Sequence, residues 1–188
     1  MNGKQHSLVG LGAGLTAGLL AGAGPVGLAV WAGVAGITSA GPTSPDMDQD
    51  HRWRRADTVL PDEALGHGGP MKHRGLTHWF GLPLAAAGLV YLNDIVLLVN
   101  GRPLPVEWVL WAAIVGWSSH IVADAAFGKG GVPLLGWYGN VGLELSQDGI
   151  LARAVAGAAP VAACLLWAAT AGLDLGWLYD SATTVAGR

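Results

Sequence analysis

The chain has 188 residues, of which 52% are hydrophobic and 12% are charged, and its formal net charge is −3. An ordinary soluble domain carries about 25% charged residues, a disordered chain is less apolar than this one, and a nucleic-acid-binding domain is basic. The single cysteine, Cys164, excludes a disulfide scaffold. The length predicts one domain over 1–188, which is either a very apolar soluble fold or a small membrane protein.

Long stretches without a charged residue favour the membrane protein. They cover 8–40, 79–93, 108–123 and 154–173. A bilayer core needs about 20 mainly apolar helical residues, so the last stretch fits directly, and the middle two fit if each helix extends into its flanks. None of them alternates with the period of two that β-barrel strands require. The bilayer is therefore the first expected partner.

The first uncharged stretch is too long for one span, because as a single helix it would measure about 50 Å. The glycines and the proline at 22–25 predict a tight turn between two helices, over 7–22 and 26–40. Each helix is short for a complete span, so a re-entrant hairpin is an alternative. A signal peptide with Lys4 as its basic region is another, although the apolar run continues past the small residues at 21–23 where it would be cleaved.

Three further helices are expected, and a turn at 100–103 joins the first two of them. The predicted ranges are helices over 78–99, 106–127 and 151–173, and polar loops over 41–77 and 128–150. Thr77 is the expected N-cap of the third helix, and the glycines spaced by four in the first helix predict close helix packing. The fold class is all-α, a small polytopic membrane helix bundle of about four to five helices with one polar metal-site end.

Helix direction gathers the metal-type side chains at that end, if the two helical hairpins point the same way. The candidates are His6, Asp46, Asp48, His73, His78, His120 and Asp124. His120 and Asp124 are four residues apart and share a helix face, and ionisable groups at membrane depth are usually functional. Taken alone, His6 could equally be a polar interface residue and not a metal ligand. Asp46 and Asp48 could equally be turn residues. Imidazole and carboxylate together suit Zn, Mn, Fe or Ni.

The basic residues follow the same asymmetry. Eight of the ten lie at the His/Asp end: Lys4, Arg52, Arg54, Arg55, Lys72, Arg74, Lys129 and Arg153. Arg102 and Arg188 lie at the other end. The positive-inside rule then predicts that the metal-site end faces the cytoplasm.

Several short motifs carry a family resemblance across about 5–140. In chain order they are the N-terminal His6, Pro45-Asp46-Met47-Asp48, His73-Arg74-Gly75-Leu76-Thr77-His78, His120-Ile121-Val122-Ala123-Asp124, and a Gly-Val segment at 130–135. The chain resembles the YdjM-type (LexA-regulated) family of inner-membrane metal-dependent hydrolases. It departs from the family pattern at Trp79, where a serine is usual, and at Ala126 and Phe127, where a Leu-Thr pair is usual; neither change removes an expected ligand.

The resemblance implies a multi-pass protein of a bacterial-type inner membrane, with the seven His and Asp residues as ligands of a divalent metal, zinc first. Seven ligands exceed the needs of one tetrahedral ion and would serve two ions that activate water against a phosphoester or lipid-type substrate. Asp48, Arg74 and His78 are the expected catalytic residues, and Arg74 would stabilise phosphate charge. No nucleic-acid partner is expected.

Two other functions fit the same residues. The cluster could be a metal or proton pathway in a small transporter, although a transporter should carry polar residues through both halves of the membrane. It could also be incidental to a structural membrane protein. Metal analysis of the purified protein separates this last interpretation from the other two.

Overall fold

The computed structural model describes nine segments of the chain: 3–40, 43–46, 76–93, 95–99, 102–128, 131–135, 138–143, 145 and 149–170. Five α-helices make up most of them: α1 (Gly3–Leu20), α2 (Pro25–Ala40), α3 (Gly81–Leu92), α4 (Glu107–Phe127) and α5 (Ile150–Thr170). A 3₁₀ turn, Leu76–His78, precedes α3. The predicted all-α fold class is confirmed.

Helices α1 and α2 form a tightly packed antiparallel hairpin. The chain reverses at Gly22, which has a φ of 70°, and Pro25 occupies the first position of α2, where its missing N–H costs nothing. A Cβ on Gly10 would strike Ser39 and Ala35, and a Cβ on Gly14 would strike Trp31 and Ala35. The predicted role of the α1 glycines in close packing is confirmed.

The other long helices pack on this hairpin. Helix α4 lies against both α1 and α2, and a Cβ on Gly116 would strike Thr38 and Ala35 of α2. The hydroxyl oxygen of Thr38, which is 2.9 Å from the Val34 carbonyl oxygen within α2, lies 3.2 Å from the Ala113 carbonyl oxygen of α4 at this close contact. Helix α5 packs on α1, with Gly12 beside Ala159, and α3 packs on α4.

Two β-hairpins replace structure that was expected to be helix or loop. Strands β1 (Val96–Val99) and β2 (Arg102–Pro105) pair antiparallel, as do β3 (Val132–Leu135) and β4 (Tyr138–Val141). The predicted helix over 78–99 is therefore wrong at both ends, and the predicted loop over 128–150 contains a hairpin. Runs rich in Val and Leu suit strands as well as helices, and apolar content alone did not distinguish them.

Local chemistry explains where α3 begins and ends. Asn93 is extended, and its side-chain nitrogen donates to the carbonyl oxygen of Leu89 at 2.8 Å, which satisfies a carbonyl of the last helical turn. At the other end Phe80, not Thr77, is the N-cap residue, and it makes no capping bond through its side chain. The predicted N-cap is wrong because Thr77 belongs to the preceding 3₁₀ turn. The predicted 7–22 helix likewise lies at 3–20, and residues 171–173 of the last predicted helix lie outside the described segments.

Helices α4 and α5 are long and apolar enough to cross a membrane, whereas α2 and α3 are shorter apolar helices. Many large apolar side chains on the outside of the bundle are exposed, among them Leu84 at 70% and Tyr91 at 81%. A soluble protein rarely leaves so much apolar surface in water. The exposed surface fits a hydrocarbon environment.

Candidate metal centre

One end of the bundle collects polar side chains from four separate segments. His6 lies near the start of α1, and Asp46 follows the end of α2, so the antiparallel hairpin brings them to the same end. His78 lies just before α3, and His120 and Asp124 lie near the end of α4. The structure thus brings together five of the seven predicted metal-type residues.

Four of these side chains form a compact group. Asp46, His78, His120 and Asp124 each offer one ligand atom, and these atoms all lie within 4.8 Å of one another. The Nε2 atom of His78 is 3.4 Å from Oδ1 of Asp46 and 3.6 Å from Oδ2 of Asp124. The Nε2 atom of His120 is 3.6 Å and 3.8 Å from the same two oxygens. Both histidines and Asp124 are buried, whereas the Asp46 side chain is 33% exposed, so the group opens at Asp46.

His6 lies beside this group and contacts the other oxygen of Asp124. Its Nε2 atom is 3.3 Å from Oδ1 of Asp124, and its ring stacks on that of His120 with centroids 3.9 Å apart. Asp124 therefore presents Oδ1 to one histidine and Oδ2 to two others. This arrangement of Asp124 suits two alternatives. Either one ion binds and His6 positions the carboxylate, or two ions bind and each has one of the carboxylate oxygens available.

A backbone carbonyl fixes the tautomer of His120. The Nδ1 atom of His120 lies 2.6 Å from the carbonyl oxygen of Ser39, and because a carbonyl only accepts, Nδ1 must carry the hydrogen. In the neutral ring Nε2 then has its lone pair available, as a metal ligand requires. This Nε2 atom is buried and makes no hydrogen bond to any residue in the described segments.

A second pair of contacts positions His78. Its Nδ1 atom lies 3.1 Å from the hydroxyl oxygen of Thr77, which can accept the Nδ1 hydrogen when Nε2 faces the carboxylates. The indole N–H of Trp117 donates to the Thr77 carbonyl oxygen at 2.9 Å and so ties this turn to α4. The histidine contact of Thr77 and the role of Trp117 escaped the sequence analysis. The spacing of Trp117 three residues before His120, on the same helix face, was the available signal.

Ser39 joins three of the segments and was also missed. Its hydroxyl donates to the carbonyl oxygen of His6 at 2.8 Å, while its own carbonyl accepts from His120. The Ser119 hydroxyl oxygen lies 3.3 Å from the Ser39 hydroxyl oxygen. Ser39 is fully buried. No sequence pattern marks a residue that acts through its backbone carbonyl, and a small polar residue near the end of an apolar helix was the only hint.

The electrostatics keep the Asp46 carboxylate ionised. Burial raises the pKa of Asp46, but the imidazoles of His120 and His78 beside it outweigh burial and hold this pKa well below its ordinary value. An ionised carboxylate beside imidazole nitrogens with available lone pairs is a donor set for a divalent transition ion. The buried Asp/His/His/Asp group could therefore hold a metal ion.

Three of the predicted site residues are not among those that the structure describes. Asp48, His73 and Arg74 lie beyond the described segments, so their roles as ligand or catalytic residue stay predictions. Of the basic residues assigned to this end, Lys4 and Arg153 are described, and both are exposed.

The family comparison agrees with the motifs and the geometry. The family model described as YdjM inner membrane protein matches residues 1–179, nearly the whole chain. No curated protein and no solved structure matches this chain. Together with the two helices able to cross a bilayer, this makes the chain a membrane protein, and it belongs to the YdjM inner membrane protein family.

Proposed function

We propose that the chain is a membrane-bound metal-dependent hydrolase that cleaves a phosphoester or lipid-type substrate. The observation that carries the proposal is the buried group of Asp46, His78, His120 and Asp124, whose ligand atoms lie within 4.8 Å of one another. The tautomer of His120 supports it, because a hydrogen on Nδ1 leaves the buried Nε2 atom facing the carboxylates of Asp46 and Asp124 with its lone pair available. A bound divalent ion would supply an acidified water and polarise the phosphoryl oxygen.

The roles of this chain's residues follow from their positions. His78, His120 and Asp124 hold the metal from the buried side. Asp46, which is partly exposed, completes the set where substrate and water enter. Asp48 and Arg74 retain their expected catalytic roles, close in sequence to Asp46 and His78.

The number of ions is part of the proposal. Because Asp124 directs Oδ1 to His6 and Oδ2 to His78 and His120, it would be a ligand available to both ions if two were bound. A second ion would take His6 and Asp124 from the described residues, and Asp48 and His73 as its predicted further ligands. Zinc is the first candidate, with Mn, Fe and Ni following from the same donor set.

The proposed setting is a multi-pass protein of a bacterial-type cytoplasmic membrane with its site facing the cytoplasm. The basic residues concentrated at the site end support this orientation, as do Lys4 and Arg153, which are exposed on α1 and α5. They would also favour approach of an anionic headgroup. The net charge of −3 gives no support to a nucleic-acid substrate.

Elemental analysis of the purified protein tests the proposal most directly. After supplementation with Zn, Mn, Fe or Ni, we expect at least stoichiometric metal in the wild type. His120→Ala and Asp124→Ala should lose the metal and any phosphoesterase activity while still inserting in the membrane. Glu107→Gln is the matched control, because Glu107 is exposed at the opposite end of α4. Metal-free wild-type protein, or full metal content in both site variants, would refute the assignment.

A further inference from the structure

An apolar groove lies between α3 and α4, beside the metal centre. Its volume is about 330 Å³. Leu82, Ala86 and Val90 of α3 form one wall, and Leu110, Ile114 and Trp117 of α4 form the other. Such a cavity offers few polar partners for water, and apolar cavities in proteins stay dry or take apolar ligands. A hydrocarbon occupant therefore suits this space.

The groove leads away from the centre along both helices. Leu82 follows His78 by four residues, and Trp117 precedes His120 by three. At 1.5 Å per residue, Leu110 lies about 15 Å from His120 along α4. The groove therefore runs along α4, one of the two helices able to cross a membrane, from Trp117 toward the start of the helix and away from the polar end.

One residue belongs to both the groove and the support of the centre. Trp117 lines the groove with its ring, while its indole N–H donates to the Thr77 carbonyl oxygen, next to His78. The Trp117 end of the groove thus adjoins the 3₁₀ turn that carries His78, one of the four residues of the metal-type group.

We propose that the groove binds one hydrocarbon chain of an amphiphilic phosphoester whose phosphate lies at the metal centre. This inference rests on the proposed hydrolase function and narrows its substrate class. The groove volume of about 330 Å³ is smaller than one turn of a helix that is about 10–12 Å across, so a single hydrocarbon chain fits where a helix does not. The chain would be held by burial alone, and the chemistry would occur at its head.

Photolabelling tests the groove without relying on turnover. The probe is dodecylphosphonate with a diazirine at the end of its chain, added to the zinc-loaded protein in lipid nanodiscs, and the labelled peptides are mapped by mass spectrometry. We expect labels within 81–92 and 107–117, and we expect them to fall when EDTA removes the zinc. Labels spread over the exposed face of α5, or labels unchanged by EDTA, would overturn the proposal.

Groove-filling variants provide the specificity control. Ala86→Phe should lower labelling by about tenfold, equivalent to losing the burial of about two methylene groups. Leu84→Phe, on the same helix but at a position that is 70% exposed, should label as the wild type does. If the Ala86→Phe variant loses its zinc, Ala113→Leu is tested in its place, because Ala113 lines the groove from α4. Equal labelling in filled and control variants would refute the groove.

Photolabelling together with an assay of phosphoester hydrolysis separates the two proposals. Groove labelling in a protein that hydrolyses no phosphoester would refute the hydrolase while supporting the chain site. Hydrolysis of short and long alkyl phosphoesters at equal rates, without groove labelling, would support the hydrolase and refute the chain site.

Discussion

The two helical hairpins of the bundle are built on opposite principles. Between α1 and α2 the glycines bring the backbones so close that a Cβ at Gly10 or Gly14 has no room. Between α3 and α4 larger side chains such as Leu82 and Trp117 hold the helices apart and leave a cavity of about 330 Å³. The first hairpin acts as a fixed support for the centre, whereas the second combines support with space for a ligand.

The largest effect is expected where the first hairpin is closest. Gly14→Leu should lower the free energy of unfolding by about 3 kcal/mol, because its side chain would meet the Trp31 carbonyl and Ala35. Gly33→Leu is the matched control, since a Cβ added to Gly33 of α2 would meet nothing within 4 Å. Denaturation of both variants in mixed micelles measures the difference. Equal stability of the two would contradict the close packing.

A substitution in the second hairpin should change metal affinity more than the free energy of unfolding. Thr77→Val removes the hydroxyl that contacts Nδ1 of His78, and we expect zinc affinity to fall by about 10–100-fold, as for other residues that orient a metal-binding histidine. Thr77→Ser should restore it. Thr16→Val is the control, because among the described residues the Thr16 hydroxyl donates to the Gly12 carbonyl within α1, away from the centre. Competition with a chelator gives the affinities, and an unchanged affinity in Thr77→Val would contradict the role.

A smaller effect is expected where the groove meets the centre. Trp117→Phe keeps most of the groove wall but removes the hydrogen bond to the Thr77 carbonyl, so the free energy of unfolding should fall by about 1 kcal/mol. Trp111→Phe loses an exposed bond to Glu107 on the same helix and should change it by only a few tenths of a kcal/mol. A loss in Trp111→Phe as large as that in Trp117→Phe would show that the Thr77 bond has no special weight.

Helix direction made the general position of the site predictable. An apolar run broken by residues 22–25 implied an antiparallel hairpin, and this places His6 and Asp46 at one end. The i, i+4 spacing of His120 and Asp124 predicted a shared helix face, and the structure has both side chains directed at the same group. These inferences need only the helical period and the order of the elements.

The parts that depend on tertiary contacts were not predictable. The carbonyl of Ser39 orients His120 only because α2 and α4 cross where Gly116 lets them approach. The strand Val96–Val99 stands before Asn100 and Gly101, a pair that often marks a β-hairpin, but an apolar run of membrane length favoured a helix. The groove between α3 and α4 depends on how far apart the side chains hold the helices, which no periodicity encodes.

The spread of the donor residues along the chain has a consequence for biogenesis. His6 contacts Asp124, so the centre joins the first helix to the fourth and cannot assemble until most of the polypeptide has been synthesised. A metal that used all of these donors would therefore load only after α1 to α4 have packed together. A loaded centre would therefore mark a chain in which α1 has packed against α4.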